Sequence, residues 1–169
     1  MRNVVIRSLV IAVTILIASP LLTAPAAAQS KSTEVNKAIA RRVFEEILSQ
    51  GKFQVADEIY SQDFVNHGLT TNADLRKDQD AARGWRQAFP DGKMTVVQEI
   101  AEGDLVAVLW VGTSTNTGEG NGLPATGKSA KIRGITIWRI VKGKIVEEWS
   151  AWDQLAVLKQ LGLIPQAGK

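Results

Sequence analysis

Apolar residues along the chain change spacing near position 92. Between residues 33 and 50 they fall at Val35, Ile39, Val43, Phe44, Ile47 and Leu48, a helical stripe that Gly51 ends. A shorter helix is predicted around Phe53–Tyr60, with Phe53, Ala56 and Ile59 on one side. A short extended piece over 63–67 follows, stopped by Gly68. Leu75, Ala82, Trp85 and Phe89 mark a third helix from Asp74 to Ala88, closed by Pro90-Asp91-Gly92. Beyond that turn the pattern is strand-like: Met94–Ile100, then Leu105 to about Thr117, then Ala130–Val141, then Ile145–Trp152. Glu102-Gly103-Asp104 and Lys142-Gly143-Lys144 read as turns, and 118–127 as a loop. A short helix over 153–161, carrying Leu155, Leu158 and Leu161, ends at Gly162.

Helices first and then an antiparallel meander is an α+β layout, with helices covering one face of a sheet. The long strands carry apolar residues at both parities: Leu105–Val111 is unbroken, and Ile132, Ile135, Ile137, Trp138, Ile140 and Val141 fall on both faces. A sheet covered on one side alone should alternate. A second covering is therefore expected, and a second copy of the chain, giving a homodimer through the outer face, supplies it.

The first 28 residues change the domain picture. Arg2 and Arg7 precede an apolar stretch from Leu9 to Leu22, and Ala26-Ala27-Ala28 offers a cleavage site. The expectation is a signal peptide over 1–28, cut after Ala28, and one domain over 29–169, periplasmic or secreted. Without Arg2 and Arg7 the 20 basic residues become 18 against 17 acidic, a net charge of +1. That balance gives no electrostatic case for nucleic acid, or for a membrane once the leader is removed. The chain has no cysteine and a single histidine, His67, so thiol chemistry and multi-histidine metal sites are excluded and no metal is expected. The glycines of 118–122 precede a strand and not a helix, which argues against a phosphate cradle.

Three stretches resemble the SnoaL-like polyketide cyclase (ester cyclase) family over roughly residues 36–165. They are Asp63-Phe64-Val65-Asn66-His67; Gly118-Glu119 with Gly122-Leu123-Pro124-Ala125-Thr126-Gly127-Lys128; and Gly143-Lys144-Ile145-Val146-Glu147-Glu148-Trp149 followed by Trp152-Asp153-Gln154 and Gln160-Leu161-Gly162. The resemblance implies the cone shared with ketosteroid isomerases: a curved antiparallel sheet, helices on its concave face, and a hydrophobic small molecule held between them. It also implies ring closure by an intramolecular aldol reaction without metal or cofactor, an aspartate being the general acid/base.

By that resemblance Asp153, after Trp149 and Trp152, takes the place of the catalytic aspartate. From the residues alone it reads first as a helix N-cap, a position aspartate favours, and the two roles are compatible. His67 is either a second proton carrier or a histidine hydrogen-bonded at a strand end. Tyr60 and Asn66 are candidate donors to a substrate, Trp85 and Trp149 candidate walls, and Arg133 a candidate carboxylate binder. Two other functions fit the same cone. One is epoxide hydrolysis by Asp153 and Glu147 bridged by Arg133 or Arg139; the other is non-catalytic binding of an apolar molecule in a tryptophan-rich pocket.

Overall fold

The computed structural model describes residues 26–165, with side chains from residue 30. The predicted leader lies outside the described residues except for 26–28, which open the first helix. Helix α1 (Ala26–Arg42) runs directly into a π-helical segment, Val43–Leu48. Its wider turn puts Val43, Phe44 and Ile47 into the core together, and the Ser49 amide reaches back five residues to the Phe44 carbonyl at 3.0 Å. The chain continues through α2 (Val55–Ile59), β1 (Tyr60–Asn66), β2 (Ala73–Asp74) and α3 (Leu75–Ala88). The strands β3 (Lys93–Glu102), β4 (Leu105–Thr115), β5 (Ser129–Val141) and β6 (Lys144–Trp152) follow, then α4 (Gln154–Leu161).

Apart from α1, which begins seven residues before the expected start at 33, the predicted elements recur within a few residues of their expected bounds, and local chemistry explains why. Asp74 caps α3 by accepting the Lys77 amide at 2.9 Å, and Gly162 takes the left-handed turn at φ 71° that ends α4.

The six strands form one curved sheet in the order β2-β1-β6-β5-β4-β3. The sheet is the curved antiparallel one expected except at one pairing: β1 runs parallel to β6, while the other four pairs are antiparallel. Parallel neighbours require a long crossover, and all of the chain between β1 and β6 supplies it. On β5 the even residues Ala130, Ile132, Thr136, Trp138 and Ile140 are buried beneath the helices. The odd residues face away from them, leaving Ile135 50% and Ile137 37% exposed. The core lies between the even face and the α1–π segment: Phe44 meets Trp138 edge-on at 5.3 Å and Trp110 at 6.0 Å.

Candidate active site

The inner layer is not filled. A cavity of about 280 Å³ opens between α3, the π-helical segment and the inner face of β4, β5 and β6. Most of its wall is apolar: Val43, Phe44, Ile47 and Leu48 from the π segment, Trp85 and Phe89 from α3, and Trp110, Ile132, Trp138 and Trp152 from the sheet. Trp85 and Trp152 meet edge-on at 5.6 Å.

Two carboxyl groups interrupt this surface. Asp78 comes from α3, four residues before Ala82 and seven before Trp85, so it stands on the inward stripe of the helix. Glu148 comes from β6, directly across from Trp138 on β5, and is 9% exposed. Its inward aim depends on a break in register: Arg139 pairs with Glu147 but Ile140 pairs with Ile145, so Val146 is an extra residue in β6. The bulge lets Ile145 and Glu148, three apart, both point into the core.

Asn66, paired with Glu148 across β1 and β6, joins the two acids. Its Nδ2 donates to Asp78 Oδ1 at 2.8 Å and to Glu148 Oε1 at 3.3 Å. Ser150 Oγ donates to Glu148 Oε1 and Trp138 Nε1 to Glu148 Oε2, both at 2.8 Å. Behind Ser150 stand Thr136 Oγ1 at 2.8 Å and, from Trp110 Nε1, a further bond to Thr136 Oγ1 at 3.1 Å. Among the described residues no Lys, Arg or His pairs with either acid. The one cationic wall residue, Arg86, spends Nη1 on the carbonyls of Ser49 and Gly92 at 2.9 and 3.0 Å.

Uncompensated burial sets the electrostatics. Glu148 is pushed up to about 7, first by desolvation and then by the charge of Asp78, against the pull of the Ser150 and Trp138 hydrogen bonds. Burial also raises Asp78, opposed by its bonds from Asn66 and Gln79. The nearness of the two acids therefore disfavours ionising both, and Glu148 keeps its proton to higher pH than an ordinary carboxyl. Tyr60, fully enclosed on the same wall, stays a neutral phenol, because burial and both carboxylates raise its pKa well above the ordinary value.

The structure sorts the residues singled out in the sequence into two groups. Tyr60, Asn66 and Trp85 line the cavity. Asp153, His67, Trp149 and Arg133 do not. The exposed Asp153 takes the cap role: its Oδ1 accepts the Ala156 amide at 2.8 Å at the start of α4. His67 stacks flat on Trp149, ring centres 4.7 Å apart, with Nε2 3.5 Å from Glu147 Oε1. Glu147 is on the face opposite Glu148, where Arg139 bonds it at 2.7 Å and also holds Asp104. Arg133 is exposed on that face too. The arginine-bridged carboxylates wanted for epoxide hydrolysis are therefore not assembled around the cavity; an amide, Asn66, stands between its acids. Asp78, Glu148, Ser150 and Thr136 were not singled out in the sequence. A charged residue at a core position of the α3 stripe was the available signal for Asp78; Glu148 is masked by the bulge.

Residues 38–161 match the family described as SnoaL-like polyketide cyclase. Among solved structures, AclR of Streptomyces galilaeus, a proposed hydroxylase, is 26% identical with a TM-score of 0.74, over 81% of this chain and 87% of that one. IdmH of Streptomyces antibioticus, a proposed polyketide cyclase, is 26% identical with a TM-score of 0.67, over 75% and 98%. A proposed SnoaL-like polyketide cyclase from Jannaschia sp. CCS1 shares the fold at 21% identity and a TM-score of 0.72, over 79% and 95%. No curated protein matches the chain.

Proposed function

Since the chain belongs to the SnoaL-like polyketide cyclase family, we propose that it is a cyclase or isomerase that moves a proton next to a carbonyl group of a hydrophobic small molecule, with Glu148 as general acid/base and Asp78 as its partner. The observation that carries this reading is the cation-free carboxyl pair, Glu148 buried and Asp78 half-buried, bridged by Asn66 in a mostly apolar cavity. Near neutrality a fraction of Glu148 is ionised, and that carboxylate accepts the proton α to the carbonyl. Electrons from that C–H bond form the enolate, and the neutral Tyr60 hydroxyl donates a hydrogen bond to its oxygen. In an aldol closure the enolate carbon attacks a second carbonyl of the same molecule, and the proton on Glu148 passes to the new alkoxide, restoring the pair. Neutral, flat substrates suit the aromatic walls; an anion would meet like charge.

Proton abstraction can be tested without the physiological substrate. In deuterated buffer near pH 7, α-tetralone is expected to lose its α-protons faster with the protein than with buffer alone, followed by proton NMR. No excess exchange, together with retention of a small molecule seen by native mass spectrometry of protein from its own host, would favour the non-catalytic binding reading.

The outer face supports the homodimer in the same proposal. Cross-strand rows there run Ile100, Ala107, Ile137, Trp149 and Gln98, Leu109, Ile135, Ala151, so one apolar strip crosses four strands. Light scattering is expected to give a dimer at micromolar concentration, and Ile137→Glu with Ile135→Lys a monomer with unchanged secondary structure. A monomeric parent chain would rule the interface out. The leader pattern of residues 1–28 supports a periplasmic or secreted domain in the same proposal; an intact mass retaining those residues counts against the cut.

A further inference from the structure

The hydrogen bonds behind Glu148 have a direction, and the direction decides which of its oxygens can react. An indole N–H can only donate, so Thr136 Oγ1 is the acceptor of the bond from Trp110 Nε1 at 3.1 Å. Ser150 has one hydroxyl proton and gives it to Glu148 Oε1 at 2.8 Å. The 2.8 Å contact between Thr136 Oγ1 and Ser150 Oγ is then made by the Thr136 proton, with Ser150 accepting. The order Trp110, Thr136, Ser150, Glu148 admits no reversal while Glu148 is ionised.

The backbone shows how this line is built. Trp110 pairs with Gly134 across β4 and β5, and Thr136 pairs with Ser150 across β5 and β6. A Cβ at position 134 would collide with the Trp110 ring. Gly134 thus lets the indole lie across β5 and reach the hydroxyl two residues on. At the far end, Oε1 of Glu148 accepts from both Ser150 and Asn66, whereas Oε2 accepts only from Trp138. A carboxylate oxygen accepts about two hydrogen bonds in its plane, so Oε1 is filled and Oε2 keeps one open position.

We propose that Trp110, Thr136 and Ser150 form a one-way relay that saturates Oε1 of Glu148 and leaves Oε2 as the atom that takes and returns the substrate proton. Trp110 and Thr136 act through Ser150 and are positioning residues. The proposal rests on Glu148 being the acid/base. The other ionisable groups of the cavity wall are Asp78 and Arg86 from α3 and Tyr60 from β1; the π segment, β4 and β5 contribute neutral groups only.

The test is a carbon-13 NMR titration of the full chain labelled at its Glu side-chain carboxyl carbons, with the Glu148 signal identified by its loss in Glu148→Gln, run beside α-tetralone exchange. Removing a donor from the ionised form raises its midpoint. Thr136→Val is expected to raise the Glu148 midpoint by about half a unit, a roughly threefold change in the ratio of its two forms. Trp110→Phe should move it in the same direction, and Thr136→Ser should restore the parent value. The exchange profile should shift with the midpoint. If Thr136→Val fails to fold, Trp110→Phe against Thr136→Ser makes the same comparison. Midpoints alike in all three variants and the parent, with Glu148 still near neutrality, overturn the relay and leave the acid–base reading standing. A parent Glu148 titrating in the ordinary carboxylate range overturns both.

Discussion

Glu148→Gln is expected to lower α-proton exchange a hundredfold or more, within the roughly 10²–10⁴ that a positioned acid/base contributes, while the protein stays folded. The replacement keeps the size of the side chain and a carbonyl oxygen for Trp138 Nε1, with its amide group turned to Ser150 Oγ, but no longer carries a proton on and off. Stability provides a second reading with a definite sign. The Glu148 carboxyl has an ordinary value of 4.5 and titrates at about 7 in the folded chain. Between those values the folded state holds more proton than the unfolded one, so stability falls as pH rises. The contribution is fully present below 4.5 and is lost once pH passes 7, at a cost of roughly 3 kcal/mol from a shift of this size. Asp78, also raised, acts in the same direction. Denaturant unfolding across this range should show the parent losing stability toward high pH. The glutamine variant should lose less and be the more stable protein at pH 8. Equal pH dependence in the two would contradict a buried, uncompensated Glu148. Asp153→Ala is the control: loss of its cap costs about 1 kcal/mol and should leave exchange intact, and loss of exchange there would return the catalytic role to Asp153.

Asn116→Ala is expected to destabilise the protein by about 1–3 kcal/mol, the cost of leaving a buried polar group without a partner. Asn116 is fully buried where β4 runs into the 117–128 loop. Its Nδ2 donates to the carbonyls of Ala88 and Gly118 at 3.1 and 3.0 Å, and its Oδ1 accepts from the amide and hydroxyl of Thr126 at 3.0 and 2.8 Å. One side chain thus ties both ends of the loop to the last residue of α3. The loop then lies on that helix so closely that a Cβ at Gly84 would collide with Asn121, whose Nδ2 bonds the Ala81 carbonyl at 2.8 Å. Asn121 is part of the cavity wall. The alanine variant should therefore unfold at lower denaturant and be cut more readily between residues 117 and 127 in limited proteolysis. A loss under 1 kcal/mol with an unchanged cleavage pattern would show that the loop is held by other means.

The comparison of sequence with structure turns on whether a feature is local. The helical stripe of Val43, Phe44 and Ile47, the Asp153 cap and the Lys142-Gly143-Lys144 turn each depend on residues a few positions apart, and each was legible. So was the family, through short runs in a fixed order. Asp153 shows the limit of that kind of reading: resemblance and cap preference pointed at one carboxylate, and the helix it starts takes that carboxylate outside. The parity of β6 misled in a different way. Glu147 shares the parity of Asp153 and was its partner in the epoxide hydrolysis reading, but with Val146 as an extra residue in β6 it is Glu148 that points inward, while Glu147 faces out to Arg139.

By itself, then, the sequence determined the elements, their order, the α+β class and the family, because hydrophobic period, capping and turn residues act through neighbours in the chain. The tertiary structure decided the parallel seam between β1 and β6, the empty space behind the tryptophans, and the meeting of Asp78 with Glu148. Those two acids are 70 positions apart in the chain, on a helix and a strand. Only the packing of that helix on the inner face, with Asn66 brought alongside by the parallel pairing, draws them out of water together and brings the proton exchange of Glu148 near neutral pH.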